Sequence, residues 1–183
     1  MDQIFAPWRI EWVEREGPHP EGEGCVFCRL AEREADRENL LVARSDHAFV
    51  LLNNYPYNPG HVMVIPHTHT GDFAALSTDV LLDHARLKVR TIEAVEAAFD
   101  PDGVNAGENL GGAAGGSIGD HLHTHVVPRW HGDTNFMAVI GDTTVIVEAL
   151  ADTYERLHDA FADQPGTTVR SADRAVVLDL AGE

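Results

Sequence analysis

Histidines at alternate positions, His121, His123 and His125, are the groups of this chain best suited to act as a set. In a β-strand successive side chains point to opposite faces, so the three imidazoles would share one face and Leu122, Thr124 and Val126 the other. At roughly 3.3 Å per residue the row is about 13 Å long, which suits a phosphate chain with part of a nucleoside better than one small ion. A neutral imidazole is a nucleophile near physiological pH, and a ring N–H can donate to a phosphate oxygen. The same three residues could instead hold a catalytic zinc that activates water, or form a polar sheet face exposed to water. A zinc needs ligands that converge within bond distance, whereas the ends of a flat row stand about 13 Å apart at their roots.

Two other stretches carry chemical potential. Asn109 to Gly119 holds five glycines in eleven residues, so its backbone can approach a ligand closely and aim amides at phosphate oxygens. It lacks the Gly-Lys-Ser/Thr ending of a P-loop, and alone it reads equally as a flexible loop. Its place just before the histidines makes it a phosphate cradle, with the Gly116 amide and the Ser117 hydroxyl as contacts. Cys25 and Cys28, the only two cysteines, are spaced Cys-x-x-Cys, which in a reducing compartment means a metal or redox pair before a structural disulfide.

These groups need a frame. Residues 28 to 37 read as a short helix, and 40 to 43, 48 to 53 and 62 to 66 as strands rich in apolar and β-branched residues. Tyr55 to Gly60 is a turn. Val80, Leu81, Leu87, Ile92, Val95 and Phe99 form a helical stripe, with Ser77, Thr78 and Asp79 available as caps, so the spacing predicts one long helix over 77–99. Residues 104 to 109 read as a strand and 121 to 129 as the histidine strand. Residues 145 to 161 read as a second helix, and 175 to 180 as a strand or helix. Strands clustered around one long helix predict an α+β domain on an antiparallel sheet of about five strands, with one long helix, a short helix and terminal extensions. The division expected is an N-terminal arm over 1–24 carrying Phe5, Trp8 and Trp12, a domain over 25–137, and a largely helical C-terminal extension over 138–183 packed on it.

At 183 residues the chain is one ordinary domain with extensions. It has no apolar run of about 18 residues and no signal-like N-terminus, so a soluble, cytoplasmic protein with no membrane partner is expected. Thirteen basic against thirty acidic side chains give a formal charge of −17, and Lys88 is the only lysine. A charge that large strains the compact state unless counterions screen it, which points to a salt-loving source. It also disfavours nucleic acid as a partner, because no basic patch exists to neutralise a phosphate backbone.

The pattern His121-Leu122-His123-Thr124-His125-Val126-Val127 closely resembles the signature of the histidine-triad (HIT) superfamily of nucleotide hydrolases and transferases. The resemblance extends to Phe49 through Asn53, to Asn58 through Pro66 and to the glycine run, covering roughly residues 25 to 130. The continuation Pro128-Arg129-Trp130, with Gly132-Asp133 and Asn135-Phe136-Met137, looks like the branch acting on diadenosine polyphosphates.

What the resemblance implies is specific. His123 would be the nucleophile that attacks the α-phosphorus to form a nucleotidyl-histidine, its other ring nitrogen oriented by a backbone carbonyl. His125 would donate to the α-phosphate oxygens, and His61 would support the triad from the neighbouring strand, completing a catalytic set of His121, His123, His125 and His61. Asn53 would bind ribose hydroxyls, although an asparagine there also suits a turn. Asn109, Gly116, Ser117, His125 and Trp130 complete the nucleotide-binding set. Many relatives carry glutamine where this chain has Ser117, which leaves hydrolysis and phosphorolysis both open for the second half-reaction. Cys25, Cys28, His69 and His121 would form a tetrahedral, structural zinc site, with His67 competing with His69. His121 cannot both ligate zinc and serve the phosphate. A homodimer is the family expectation. A nucleoside phosphoramidase and a non-catalytic nucleotide-binding protein are the alternatives.

Overall fold

A glycine and an aspartate set the two ends of the element pair that matters most. The long helix starts at Ser77, whose hydroxyl accepts from the Val80 amide (3.4 Å), and stops at Asp100, which takes the left-handed conformation (φ 46°) while its amide reaches the Glu96 carbonyl. Gly60, at φ +80°, returns the chain into the third strand, where an added Cβ would lie 2.7 Å from the Phe99 ring and 3.1 Å from Pro128. Only glycine meets both demands, and the residue it delivers next is His61.

The structure is a computed structural model that describes residues 24–114, 118–133 and 148–181. The aromatic arm, Gly116, Ser117 and the Asn135-Phe136-Met137 stretch lie outside the described residues. Among those described, helix α1 is Val26–Glu32, α2 is Thr78–Phe99 and α3 is Leu150–Ala162. The strands are β1 Leu41–Arg44, β2 Ala48–Leu52, β3 Val62–Pro66, β4 Gly103–Glu108, β5 Thr124–Arg129, β6 Thr167–Thr168 and β7 Val176–Leu178.

The fold is α+β, as expected, but the sheet is larger and mixed. Seven strands run in the order β4-β5-β3-β2-β1-β7-β6, where about five antiparallel strands were expected, and β7 pairs with β1 in parallel. Over the described residues 148–181 the chain forms α3 and then extends the sheet itself. Its strands are two and three residues long, too short for an alternation to show in sequence.

Helices α2 and α3 cover one face of the sheet. Val42, Val50, Leu52, Val62, Val64 and Val126 meet Leu87, Val95 and Phe99 of α2 and Tyr154, Leu157 and Phe161 of α3. The opposite face carries Leu41, Phe49, Leu51, Met63 and Ile65, with Phe27 of α1 laid on them. Strands β2 and β3 are buried on both faces, which is why they read as unbroken apolar runs. No described helix is long and apolar enough to cross a membrane.

Candidate active site and metal corner

Cross-strand pairing fixes which face each histidine occupies. His125 lies opposite Met63 on one side and Gly107 on the other, so it projects from the Phe27 face. Thr124 and Val126 project toward α2. Strand β5 begins only at Thr124, so His121 and His123 stand on the approach to it. The alternation nevertheless continues, since Leu122 packs with Leu76 and Val80 beneath α2.

The three rings do not converge. His123 is buried, and its Nδ1–H donates to the His121 carbonyl (2.9 Å) because a carbonyl can only accept. That spends the hydrogen of the neutral ring and leaves the lone pair on Nε2. The rings of His123 and His125 meet edge to face at 5.0 Å. A second tautomer is fixed from the turn. The Tyr57 amide donates to His61 Nδ1 (3.1 Å), so neutral His61 carries its hydrogen on Nε2, 3.0 Å from His125 Nδ1. His125 must then accept at Nδ1 and carry its own hydrogen at Nε2; the Asn109 side-chain amide ends 3.5 Å away, and since its Nδ2 can only donate, it meets that N–H as an acceptor only by turning its oxygen toward the ring. The Tyr57 ring stacks on His61 at 4.8 Å and 11°, holding the start of this relay in plane. The site thus offers a lone pair and a donor side by side.

Asn53 sits at the end of β2 and is buried. Its Oδ1 accepts from the Tyr55 amide (2.9 Å), a turn role, while its Nδ2 lies 3.4 Å from His61 Nε2. Trp130 is separated from the histidines. It packs against the helix-side core with Ile92, Ala98 and Val104, five residues and one change of face from His125. That placement goes against its expected place among the nucleotide contacts of the same chain.

His121 turns away from the phosphate side altogether. Its Nε2–H donates to the Pro66 carbonyl (2.8 Å), and its Nδ1 faces Cys25 Sγ (3.2 Å), Cys28 Sγ (3.7 Å) and His69 Nδ1 (3.3 Å). Both ring nitrogens are engaged, so only its carbonyl reaches His123, and the expected catalytic role of the His121 imidazole has no geometry behind it. Cys25, Cys28, His69 and His121 form one cluster whose ligand atoms all lie within 4.8 Å of one another. His67 is not in it and packs on the Phe49 ring instead.

The donor set fits a zinc ion. Bonds of about 2.0–2.3 Å in a tetrahedron place neighbouring ligand atoms about 3.3–3.8 Å apart, and the three contacts of His121 Nδ1, at 3.2, 3.3 and 3.7 Å, lie close to that range. The His121 Nε2–H to carbonyl bond also fixes Nδ1 as the ligand atom. Burial and the neighbouring Cys25 push the Cys28 thiol up to about 11, so a cation beside it would favour the thiolate that a metal needs.

One polar group was not foreseen. Behind the histidines, on the helix side, the buried Thr124 hydroxyl donates to Glu108 Oε1 (2.7 Å). His84 Nε2 of α2 lies 3.2 Å from that hydroxyl and 3.3 Å from the Val64 carbonyl. With the threonine hydrogen spent on Glu108, His84 Nε2–H donates to both oxygens. Burial holds the His84 pKa below its ordinary value, so the ring is neutral. The cluster joins β3, β4, β5 and α2 directly behind His123 and His125.

Comparison with known proteins matches this arrangement. The HIT domain family matches residues 34–132. An AP-4-A phosphorylase of Mycobacterium tuberculosis is 44% identical over 170 residues, covering 90% of this chain and 87% of the relative. Among solved structures, a Zn-bound histidine triad family protein from Mycobacterium smegmatis superposes with a TM-score of 0.61 at 27% identity, covering 76% of this chain and 94% of that one. A hypothetical histidine triad nucleotide-binding protein from Sulfolobus tokodaii gives 0.59 at 28% identity, over 75% and 89%. With a triad on one sheet face and a family match spanning more than half its length, this chain belongs to the HIT family.

Proposed function

We propose that this chain cleaves diadenosine polyphosphates at the α-phosphorus through a nucleotidyl-His123 intermediate, with inorganic phosphate as the preferred acceptor. The observation that carries the reading is the pair of fixed tautomers, a lone pair on His123 Nε2 beside a hydrogen on His125 Nε2. The His123 lone pair attacks phosphorus and the remaining nucleotide leaves on its phosphate oxygen. The His125 N–H donates to a non-bridging oxygen as charge gathers there. His61 acts through His125 by keeping that tautomer. Asn53 would bind ribose and Asn109 the phosphate edge, and Gly116 and Ser117 of the glycine run would supply an amide and a hydroxyl. Phosphate or water then attacks the phosphorus from the side the leaving group vacated, and the nucleotide departs from His123.

The preference for phosphate rests on the relative named a phosphorylase and on Ser117, whose short hydroxyl leaves room for a phosphate oxygen where a glutamine arm could orient water. Cys25, Cys28, His69 and His121 would hold zinc, which in a closed four-ligand site supplies stability rather than a reacting ion. We further infer a homodimer. Among the described residues strand β4 stands at one edge of the sheet, and α2 exposes Leu81, Leu82 and Val89.

The test is product identity. With diadenosine tetraphosphate, added phosphate should accelerate cleavage and give ADP with ATP, whereas water alone gives AMP with ATP. If phosphate changes neither rate nor product, the acceptor assignment is wrong. If no nucleotide turns over at all, the whole reading is wrong.

A further inference from the structure

Between the two cysteines of the metal corner lies a buried aromatic ring that touches the nucleophile. Phe27 is 3% exposed, its ring centroid 5.5 Å from that of His121 at 87° and 5.3 Å from that of His123 at 57°. On its other side His123 meets His125 at 5.0 Å. The nucleophile is therefore held between two rings, while the His121 carbonyl takes its Nδ1–H.

Three further contacts tie this arrangement to the corner. The imidazole of the residue that offers the carbonyl, His121, faces both thiols and His69. The next residue donates its amide to Thr70, one position beyond His69 (Leu122 N to Thr70 O, 2.7 Å). The Gly71 backbone passes so close to the end of the glycine run that an added Cβ would lie 2.6 Å from the Gly119 carbonyl. Helix α1, the His69 loop and the approach to β5 form one knot.

Resting on the reading of His123 as nucleophile, we propose that Phe27 is a positioning residue for it. The ring, anchored through Cys25 and Cys28, restricts the plane of the His123 imidazole and so protects the Nδ1–H bond to the His121 carbonyl. The Cys-x-x-Cys corner thereby sets the aim of the nucleophile as well as the stability of the fold. An aromatic ring walls off rotation of a neighbouring imidazole in a way a flexible aliphatic chain does not. Loss of that wall lets the ring turn, and small misplacements of a reacting atom cost rate rather than binding.

The test is Phe27→Leu in zinc-loaded protein, a change close in volume that a core tolerates. The expected result is kcat lower by about tenfold or more with KM within about threefold, because only transition-state alignment is lost. Alongside it, ¹⁵N spectra of the labelled histidines at fixed pH should show His123 passing from a single Nδ1–H tautomer in the wild type to a mixture in the variant. A folded, zinc-bearing variant that keeps either the wild-type kcat or the wild-type His123 tautomer overturns the proposal. Should Phe27→Leu fail to fold, Phe27→Met, whose unbranched chain adapts to the same space, carries the same comparison. If the wild type turns over no nucleotide, the functional reading fails separately, and the tautomer spectra alone decide the role of Phe27.

Discussion

Thr124→Val removes one hydroxyl from the polar cluster behind His123 and His125 while keeping the shape of the side chain. The hydroxyl is fully enclosed and its donation to Glu108 is charge-assisted, a class of bond that contributes about 1.5–3 kcal/mol. Two features lower the loss. Glu108 is exposed and can recover water, and His84 Nε2–H retains the Val64 carbonyl. The expected cost is therefore near the low end, about 1–2 kcal/mol. For a domain of this size each kcal/mol moves the midpoint by about 2–4 °C, so Tm should fall by about 2–8 °C. A double-mutant cycle with Glu108→Ala isolates the pair, and its coupling energy should be about 1 kcal/mol or more. A Tm within about 1 °C of wild type, or a coupling energy near zero, would show that the hydroxyl makes no bond in solution.

Three other outcomes follow from the same physics. Because burial keeps His84 neutral in the fold while the unfolded chain protonates it near pH 6.5, stability should fall as pH drops below about 6.5. His84→Gln should flatten that slope between about pH 7.5 and 5.5, and an unchanged slope would remove His84 from the account. Gly107 lies opposite His125 on the same face, and a Cβ there meets nothing within 4 Å. Gly107→Val should leave Tm nearly unchanged and raise KM for nucleotide about tenfold or more, unless the ligand does not lie over β4. With a formal charge of −17, repulsion acts over roughly 30 Å at low ionic strength and about 3 Å at molar salt, so Tm should climb with salt. A flat salt dependence would end the salt-loving reading.

The parts of this molecule legible in sequence are those with period or punctuation. The α2 stripe with Ser77 at its head and the apolar run of β3 stand where the spacing puts them, because burial on one stripe or on both faces writes itself into residue choice. The Cys25, Cys28, His69 and His121 cluster was legible only through the family resemblance, since nothing in local spacing brings residue 69 to residue 25. Trp130 shows a signal present but unused. Counting alternation from His125 assigns it to the helix side with Val126 and Pro128. The Thr124–Glu108 contact depends on the register of β4 against β5, and the Phe27 contact on where α1 lands, both properties of the assembled sheet. Strands β6 and β7 are too short to announce themselves.

The proposed function stands or falls on whether His123 carries the nucleotide between the two half-reactions. The direct measurement is to mix the protein with diadenosine tetraphosphate without added phosphate, quench within the first turnover into alkali, where a phosphorus–nitrogen bond to histidine survives, and map the modified peptide by mass spectrometry. One adenylyl group is expected, on His123, that disappears when phosphate is added and never forms in His123→Ala. Product formation with no adduct, or an adduct on another residue, contradicts it.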